Sequence, residues 1–189
     1  MLERRAAMKT LLADRPNNLF VVPGLGSCTW DAFAAGDDDR NFYLWGAMGG
    51  AAMVGLGIAL AQPKKRVAVV TGDGEMLMGF GALATIGLKR PANLAVIVFD
   101  NGRYGETGMQ ESHTAGAVDL IAAARACGIE NVADVKDMPG VDALRRELGI
   151  FTGPLFARVQ IGASEAKRIL PVRDGVELKR RFRRAIGVS

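Results

Sequence analysis

The residues best placed to do chemistry together are an acid in Gly72-Asp73-Gly74-Glu75 and an amide in Phe99-Asp100-Asn101-Gly102. Asp73 and Asn101 are hard oxygen donors. Mg²⁺ takes one or two such ligands from protein and completes its octahedron with water and phosphate oxygens. The glycines point the same way, since Gly74 lets backbone approach a phosphate closely and a helix starting near Glu75 offers free N–H groups. A Gly-Asp-Gly alone is a common turn. The weight therefore rests on its pairing with Asn101, 26 positions beyond Glu75. The chemistry expected is a clamp for a metal and a diphosphate.

The clamp needs elements that deliver both residues to one place. Residues 66–71 and 93–99 are continuous apolar, β-branched runs that predict buried strands, and a helix-length segment separates them. In such a βαβ unit the right-handed crossover puts both carboxyl ends on one edge, where open α/β sheets bind ligands. Further strands are expected at 18–23, 42–45, 132–135 and 154–161. Helices are expected at 1–13, 30–35, 47–61, 75–88 and 141–148, with another ending at 126 after a loop to 117. Within 75–88, Met76, Phe80, Leu83 and Ile86 fall on one inward face. The pattern predicts one α/β domain over 1–189, a doubly wound, mainly parallel six-stranded sheet with helices on both faces.

The surroundings of the two motifs carry a narrower signal. The run Asp100-Asn101-Gly102-Arg103-Tyr104-Gly105-Glu106-Thr107-Gly108-Met109-Gln110 resembles the Asp-Asn-Gly-x-Tyr/His-x-Ser-Thr-Gly-x-Gln segment of the sulfopyruvate and phosphonopyruvate decarboxylases. Phe42-Tyr43-Leu44-Trp45-Gly46-Ala47-Met48-Gly49 resembles their Phe-Tyr-Met-x-Gly-Ser-Met-Gly. These enzymes are thiamine-diphosphate-dependent, and the family signature is Gly-Asp-Gly followed at this distance by Asn. The resemblance covers roughly residues 18 to 162. Glu106 and Met109 depart from its pattern.

The resemblance implies a thiamine-diphosphate-binding fold and a role for each matching position. Asp73 and Asn101 would hold Mg²⁺ through side-chain oxygens, with the Arg103 carbonyl as a third ligand. Gly74 and Glu75 would offer backbone N–H groups to the diphosphate, helped by Gly26, Ser27 and Cys28 and by Tyr104 and Gly105 of the binding segment. Gly46 and Met48 would grip the aminopyrimidine, with Met48 propping the cofactor into its V shape. A bound cofactor of this kind implies decarboxylation of a 2-oxo acid. Carboligation or acyl transfer on the same half-site, or a noncatalytic cofactor-binding scaffold, remain alternatives.

In the family, the glutamate that activates the aminopyrimidine lies on a separate pyrimidine-binding domain across a subunit interface. A length of 189 residues accommodates one domain. The expectation is the diphosphate-binding subunit of a split enzyme, working with a pyrimidine-binding partner in an α₂β₂ assembly. His113, the single histidine, follows the binding segment and is a candidate proton donor or substrate contact. Arg103 is a candidate partner for an anionic substrate, while Glu106 and Glu111 add negative charge nearby. Thr107 and Gln110 either touch substrate or order the loop.

Composition excludes several other classes. Cys28 and Cys127, 99 positions apart, provide neither a disulfide framework nor metal-ligand spacing, which suits a reducing cytoplasmic compartment. Residues 41–62 carry no charge, but five glycines between 46 and 61 argue for a buried strand and helix rather than a membrane span. The Gly and Ala faces of that helix suit close packing against another helix. Gly55-Leu56-Gly57 lies inside it rather than between strand and helix, which argues against a dinucleotide site. The net charge of +4 is concentrated in a basic segment, residues 165–189. There Val176, Leu178, Phe182 and Ile186 predict a docking helix with a solvated basic face, and with Phe182 the only aromatic residue among the basic ones a nucleic-acid site is not expected.

Overall fold

In the computed structural model, which describes residues 1–164 and 166–188, five strands form one parallel sheet. They are β1 (Leu19–Pro23), β2 (Arg66–Gly72), β3 (Leu94–Asp100), β6 (Asn131–Val135) and β7 (Leu155–Gln160), in the order β1-β2-β3-β7-β6. A separate hairpin joins β4 (Arg103–Tyr104) to β5 (Gln110–Glu111). The α/β class and the parallel sheet match the sequence expectation.

The central strands are apolar throughout because both of their faces are covered. In β2, Val67 and Val69 join one core while Ala68 and Val70 join the other. One layer is built on α1 (Arg4–Leu12), α2 (Ser27–Ala34) and α7 (Met138–Glu147). The second is built on α3 (Ala51–Ala61), α4 (Asp73–Met78), α5 (Ala82–Lys89) and α6 (Leu120–Ala126). The last helix, α8 (Gly175–Ile186), closes the β1 side, with Phe182 edge-on to Phe20 at 5.6 Å between ring centres.

Several expectations need correction. Residues 42–45 are not a sixth strand. They run along the outer edge of β1, where the Phe42 N–H donates to the Val21 carbonyl at 2.8 Å and Leu44 to Pro23 at 3.2 Å, and Gly46 and left-handed Ala47 then turn the chain away. The expected helix 75–88 is two helices that break at Gly79-Phe80-Gly81, because the backbone of Gly79 lies directly against that of Gly49. Phe80 consequently lies at the break, 39% exposed, rather than inward. On α3, Gly55 faces the sheet, where a side chain would meet Val69 Cγ2 at 2.1 Å, while Gly57 faces open space. The loop expected from 108 to 117 contains β5 and a single 3₁₀ turn. In α8, Leu178, Phe182 and Ile186 are buried as expected, but Val176 is 50% exposed. Glu165 and Ser189, the ends of the basic segment, lie outside the described residues.

Strand register positions the site. Gly72 pairs with Phe99, and Pro23 pairs with Val70. Asp73, Asn101 and the loop from Gly24 therefore leave the sheet side by side at its carboxyl edge.

Candidate active site

At that edge lies an open cleft. Ten of the twelve residues expected to bind the cofactor line it: Ser27, Cys28 and Met48; Asp73, Gly74 and Glu75; Asn101, Arg103, Tyr104 and Gly105. Gly26 caps α2 just behind Ser27, with the Glu106 carboxylate packed against it. Gly46 is exposed and lies outside the cleft.

Asp73 is only 2% exposed, and its surroundings orient it on both sides. The Ser112 hydroxyl donates to Oδ2, and the single Thr114 hydroxyl proton lies between Oδ2 at 3.1 Å and Asp100 Oδ1 at 2.7 Å. Oδ1 has only a long contact, 3.4 Å, from the Asn101 N–H. Burial pushes the Asp73 carboxyl above its usual range, the two hydroxyls oppose this, and Asp100 adds to it. No cation appears among the groups acting on it. A buried carboxylate is ordinarily paired or bound to a metal, so these oxygens fit a resident Mg²⁺. Among the described residues no group of three or more His, Cys, Asp or Glu could hold a metal.

Asn101 is folded by an Asx turn, its Oδ1 accepting the Arg103 N–H at 2.9 Å. The hairpin that follows lays the Tyr104 ring on Gly74, where a side chain would meet Cδ1 at 2.7 Å. The close approach at Gly74 is thus made by an aromatic ring from its own chain. The Tyr104 hydroxyl lies 3.1 Å from His113 Nδ1. His113 is exposed and outside the cleft, so it reaches the site only through Tyr104. Thr107 and Gln110 bond to each other, at 2.9 and 3.2 Å, and order the hairpin. Arg103 pairs with Glu111 at 3.2 Å.

Glu75 plays a part that sequence reasoning missed. Its carboxyl is buried beneath the Gly24–Gly26 loop, accepts from the Thr71 hydroxyl at 2.8 Å and leaves Oε1 without a hydrogen bond. A side chain at Gly24 would meet Oε2 at 2.0 Å. Burial raises the Glu75 carboxyl, while Thr71 and the nearby amides of Ala51, Gly49 and Leu25 oppose the rise. Glu75 thus lies where the two loops flanking the cleft come together.

Arg4, Trp30, Asp31 and Arg168 also line the cleft and were not expected there. Their one sequence signal is chemical: Asp31 is an acid among the apolar residues of α2, and Arg4-Arg5 opens α1 without an acid one turn on. In the fold Asp31, 2% exposed, pairs with Arg4 at 2.8 Å and Arg5 at 3.0 Å. Cys28 and Cys127 are both free. Among the described residues no helix is long and apolar enough to cross a membrane.

Comparison with known proteins places this arrangement. Residues 25–156 match the family described as thiamine pyrophosphate enzyme, C-terminal TPP binding domain. A phosphonopyruvate decarboxylase of Streptomyces viridochromogenes is 40% identical over 95% of this chain, although the chain spans only 45% of that protein. The sulfopyruvate decarboxylase subunit beta of Methanothermobacter thermautotrophicus is 34% identical over 96% of the chain and 94% of its own length. A solved thiamin diphosphate-dependent enzyme of Mycobacterium smegmatis shares the fold with a TM-score of 0.72 at 21% identity, over 86% of this chain and 32% of that one. With its sequence matched over most of its length and Asp73 and Asn101 brought to one sheet edge, the chain belongs to the thiamine pyrophosphate enzyme family, as a C-terminal TPP binding domain.

Proposed function

We propose that this chain is the diphosphate-binding subunit of a split, cytoplasmic, thiamine-diphosphate-dependent decarboxylase of a sulfopyruvate- or phosphonopyruvate-like 2-oxo acid. Its partner in this reading is a separate pyrimidine-binding chain, in an α₂β₂ assembly. The observation that carries the reading is Asp73: a buried carboxylate without a counter-cation, level with Asn101 at the carboxyl edge of a parallel sheet. The subunit-beta relative, matched along 94% of its length, supports the split arrangement.

When bound, thiamine diphosphate supplies a carbanion equivalent and an electron sink for breaking the bond to a carboxylate. The chain's own residues bind and orient. Asp73, Asn101 and the Arg103 carbonyl would hold Mg²⁺, while Ser112 and Thr114 fix the Asp73 carboxylate. The amides of Gly74 and Glu75, the Gly26-Ser27-Cys28 loop and Tyr104-Gly105 receive the diphosphate. Met48, whose methyl already faces Gly74, would hold the aminopyrimidine end.

The test is reconstitution. Purified alone, the chain should release no CO₂ from 2-oxo acids, and co-expression with a pyrimidine-domain subunit should restore release. An isolated chain that decarboxylates overturns the split arrangement.

A further inference from the structure

The proposed cofactor role leaves the arginine side chains of the cleft, Arg4, Arg103 and Arg168, unused. Arg4 and Arg5 share the single carboxylate of Asp31, which leaves one net positive charge on that trio. Arg103 is matched by Glu111. Arg168 has no carboxylate partner among the described residues; its guanidinium lies over the Trp30 ring at 4.7 Å. A cation held over a ring face by the ring's quadrupole keeps its N–H donors for other partners. The guanidinium fork suits the oxygens of a sulfonate or phosphonate, which arginine binds in bidentate fashion.

The backbone around Arg168 is held in place. Ile161 donates to the Asp100 carbonyl at 3.0 Å, and Gly162 donates to Leu2 at 2.8 Å. Arg5 donates to the carbonyl of Lys167, the residue before Arg168, at 2.7 Å. Further on, Trp45 Nε1 donates to the Val172 carbonyl at 3.0 Å, and Arg173 lies over the Trp45 ring. The segment after β7 is therefore pinned to α1, α2 and the residue preceding Gly46, and it carries Arg168 into the wall of the cleft. A doubly anionic substrate entering beside Asp73, Glu75 and Glu106 needs such a compensating cation.

We infer that Arg168 determines substrate specificity, taking the tetrahedral anionic group at the far end of a 2-oxo acid while the cofactor end of the cleft holds the reacting carbonyl. This rests on the decarboxylase reading and adds to it the residue that reads the substrate. The experiment is a titration of the assembled, Mg²⁺- and thiamine-diphosphate-loaded enzyme with 3-sulfopropionate, 3-phosphonopropionate and, as control, propionate. Binding is followed by tryptophan fluorescence, which reports on Trp30 beneath the guanidinium. Both tetrahedral anions should bind far more tightly than propionate. Arg168→Gln should weaken them roughly tenfold or more, and Arg168→Lys should recover part of the loss. Thiamine diphosphate affinity, measured by calorimetry, should stay within roughly twofold across the variants. Equal affinity for the three acids in the parent, unchanged anion affinity in Arg168→Gln, or a tenfold loss of cofactor affinity there overturns the inference. Anion binding that depends on Arg168 without CO₂ release from 3-sulfopyruvate or 3-phosphonopyruvate would instead sink the decarboxylase reading alone.

Discussion

Asp37, Asp38 and Asp39 form one group of carboxylates in this molecule and Asp73, Glu75 and Asp100 another at the sheet edge; three arginines serve the first, and one, at Asp100, reaches the second. Arg181 reaches Asp37 and Asp39, and Arg15 and Arg40 both pair with Asp38. In the second group Arg158 stands 4.0 Å from Asp100, while Asp73 is met by the Ser112 and Thr114 hydroxyls and, at 3.4 Å, by the Asn101 N–H. Ionisation follows the same division. Hydrogen bonding from Arg181 holds Asp37 below the usual carboxylate range, and Arg40 and Arg15 overcome burial to hold Asp38 far below it. Burial instead lifts Asp73 and Glu75 above theirs. The first cluster is complete as folded and ties α8 to the loop before Asn41. The second carries charge that the chain does not neutralise, which is what a cation-binding site requires.

The contrast breaks most directly at Asp73. Asp73→Ala should lower thiamine diphosphate and Mg²⁺ affinity by roughly a hundredfold, at the upper end of losses seen for groups supporting a metal. Without ligands the variant should melt no lower than the parent, because an unmatched buried charge has been removed. Calorimetric titration and thermal melts check both halves. A lower melting temperature with cofactor affinity intact would make Asp73 a structural residue like Asp37.

Gly24→Ala tests the brace under the phosphate loop. The new methyl should cost about 1–3 kcal/mol of stability and weaken cofactor binding. In a double-mutant cycle with Glu75→Ala the two losses should fall short of additive, since removing the carboxylate relieves the clash. Strict additivity would show that Glu75 does not set the position of the loop.

At the matched corner, Arg181→Ala should cost about 1–2 kcal/mol, between the values for exposed and buried pairs, and leave thiamine diphosphate affinity unchanged. Chemical denaturation measures the first and calorimetry the second. A parallel loss of cofactor affinity would erase the distinction between the corners.

Acid sharpens the same comparison. A carboxylate whose folded pKa is depressed contributes stability above its unfolded value of about 4, and that contribution disappears as pH falls through the folded value. Asp134, held down to about 2 by Arg158, sets the window for such pairs at roughly pH 4 to 2. Asp37 and Asp38 lose their contributions in the same direction. Denaturation midpoints should therefore fall across that window, and less steeply in Arg181→Ala; an unchanged slope would remove Asp37 from the account.

The smallest effect expected is at His113. As an exposed ring touching the cleft only through Tyr104, it should change kcat of the assembled enzyme by no more than roughly threefold when replaced by Ala. A loss of a hundredfold would make it a proton donor in the reaction.

Much of this was legible in the sequence because the information is local. The apolar runs of β2 and β3 carry a strand signature, and each is followed at once by the residue that matters, so the edge location of Asp73 and Asn101 needed only the crossover rule. The edge segment 42–45 misled because its aromatic composition is that of a strand, while pairing depends on a neighbour 20 residues away. The break at Gly79 was hidden for a similar reason, since its cause is the backbone of Gly49.

By itself, then, the sequence determined the α/β class through its apolar runs, and through its resemblance to a known family it pointed to ten of the residues that line the cleft. Tertiary structure alone decided which charges are matched. Arg181 meets Asp37 across 144 positions, Asp31 collects Arg4 and Arg5, and Arg168 arrives over Trp30 from beyond the last strand. Electrostatic energy depends on distance in space and on burial, neither of which is written in the order of residues along the chain.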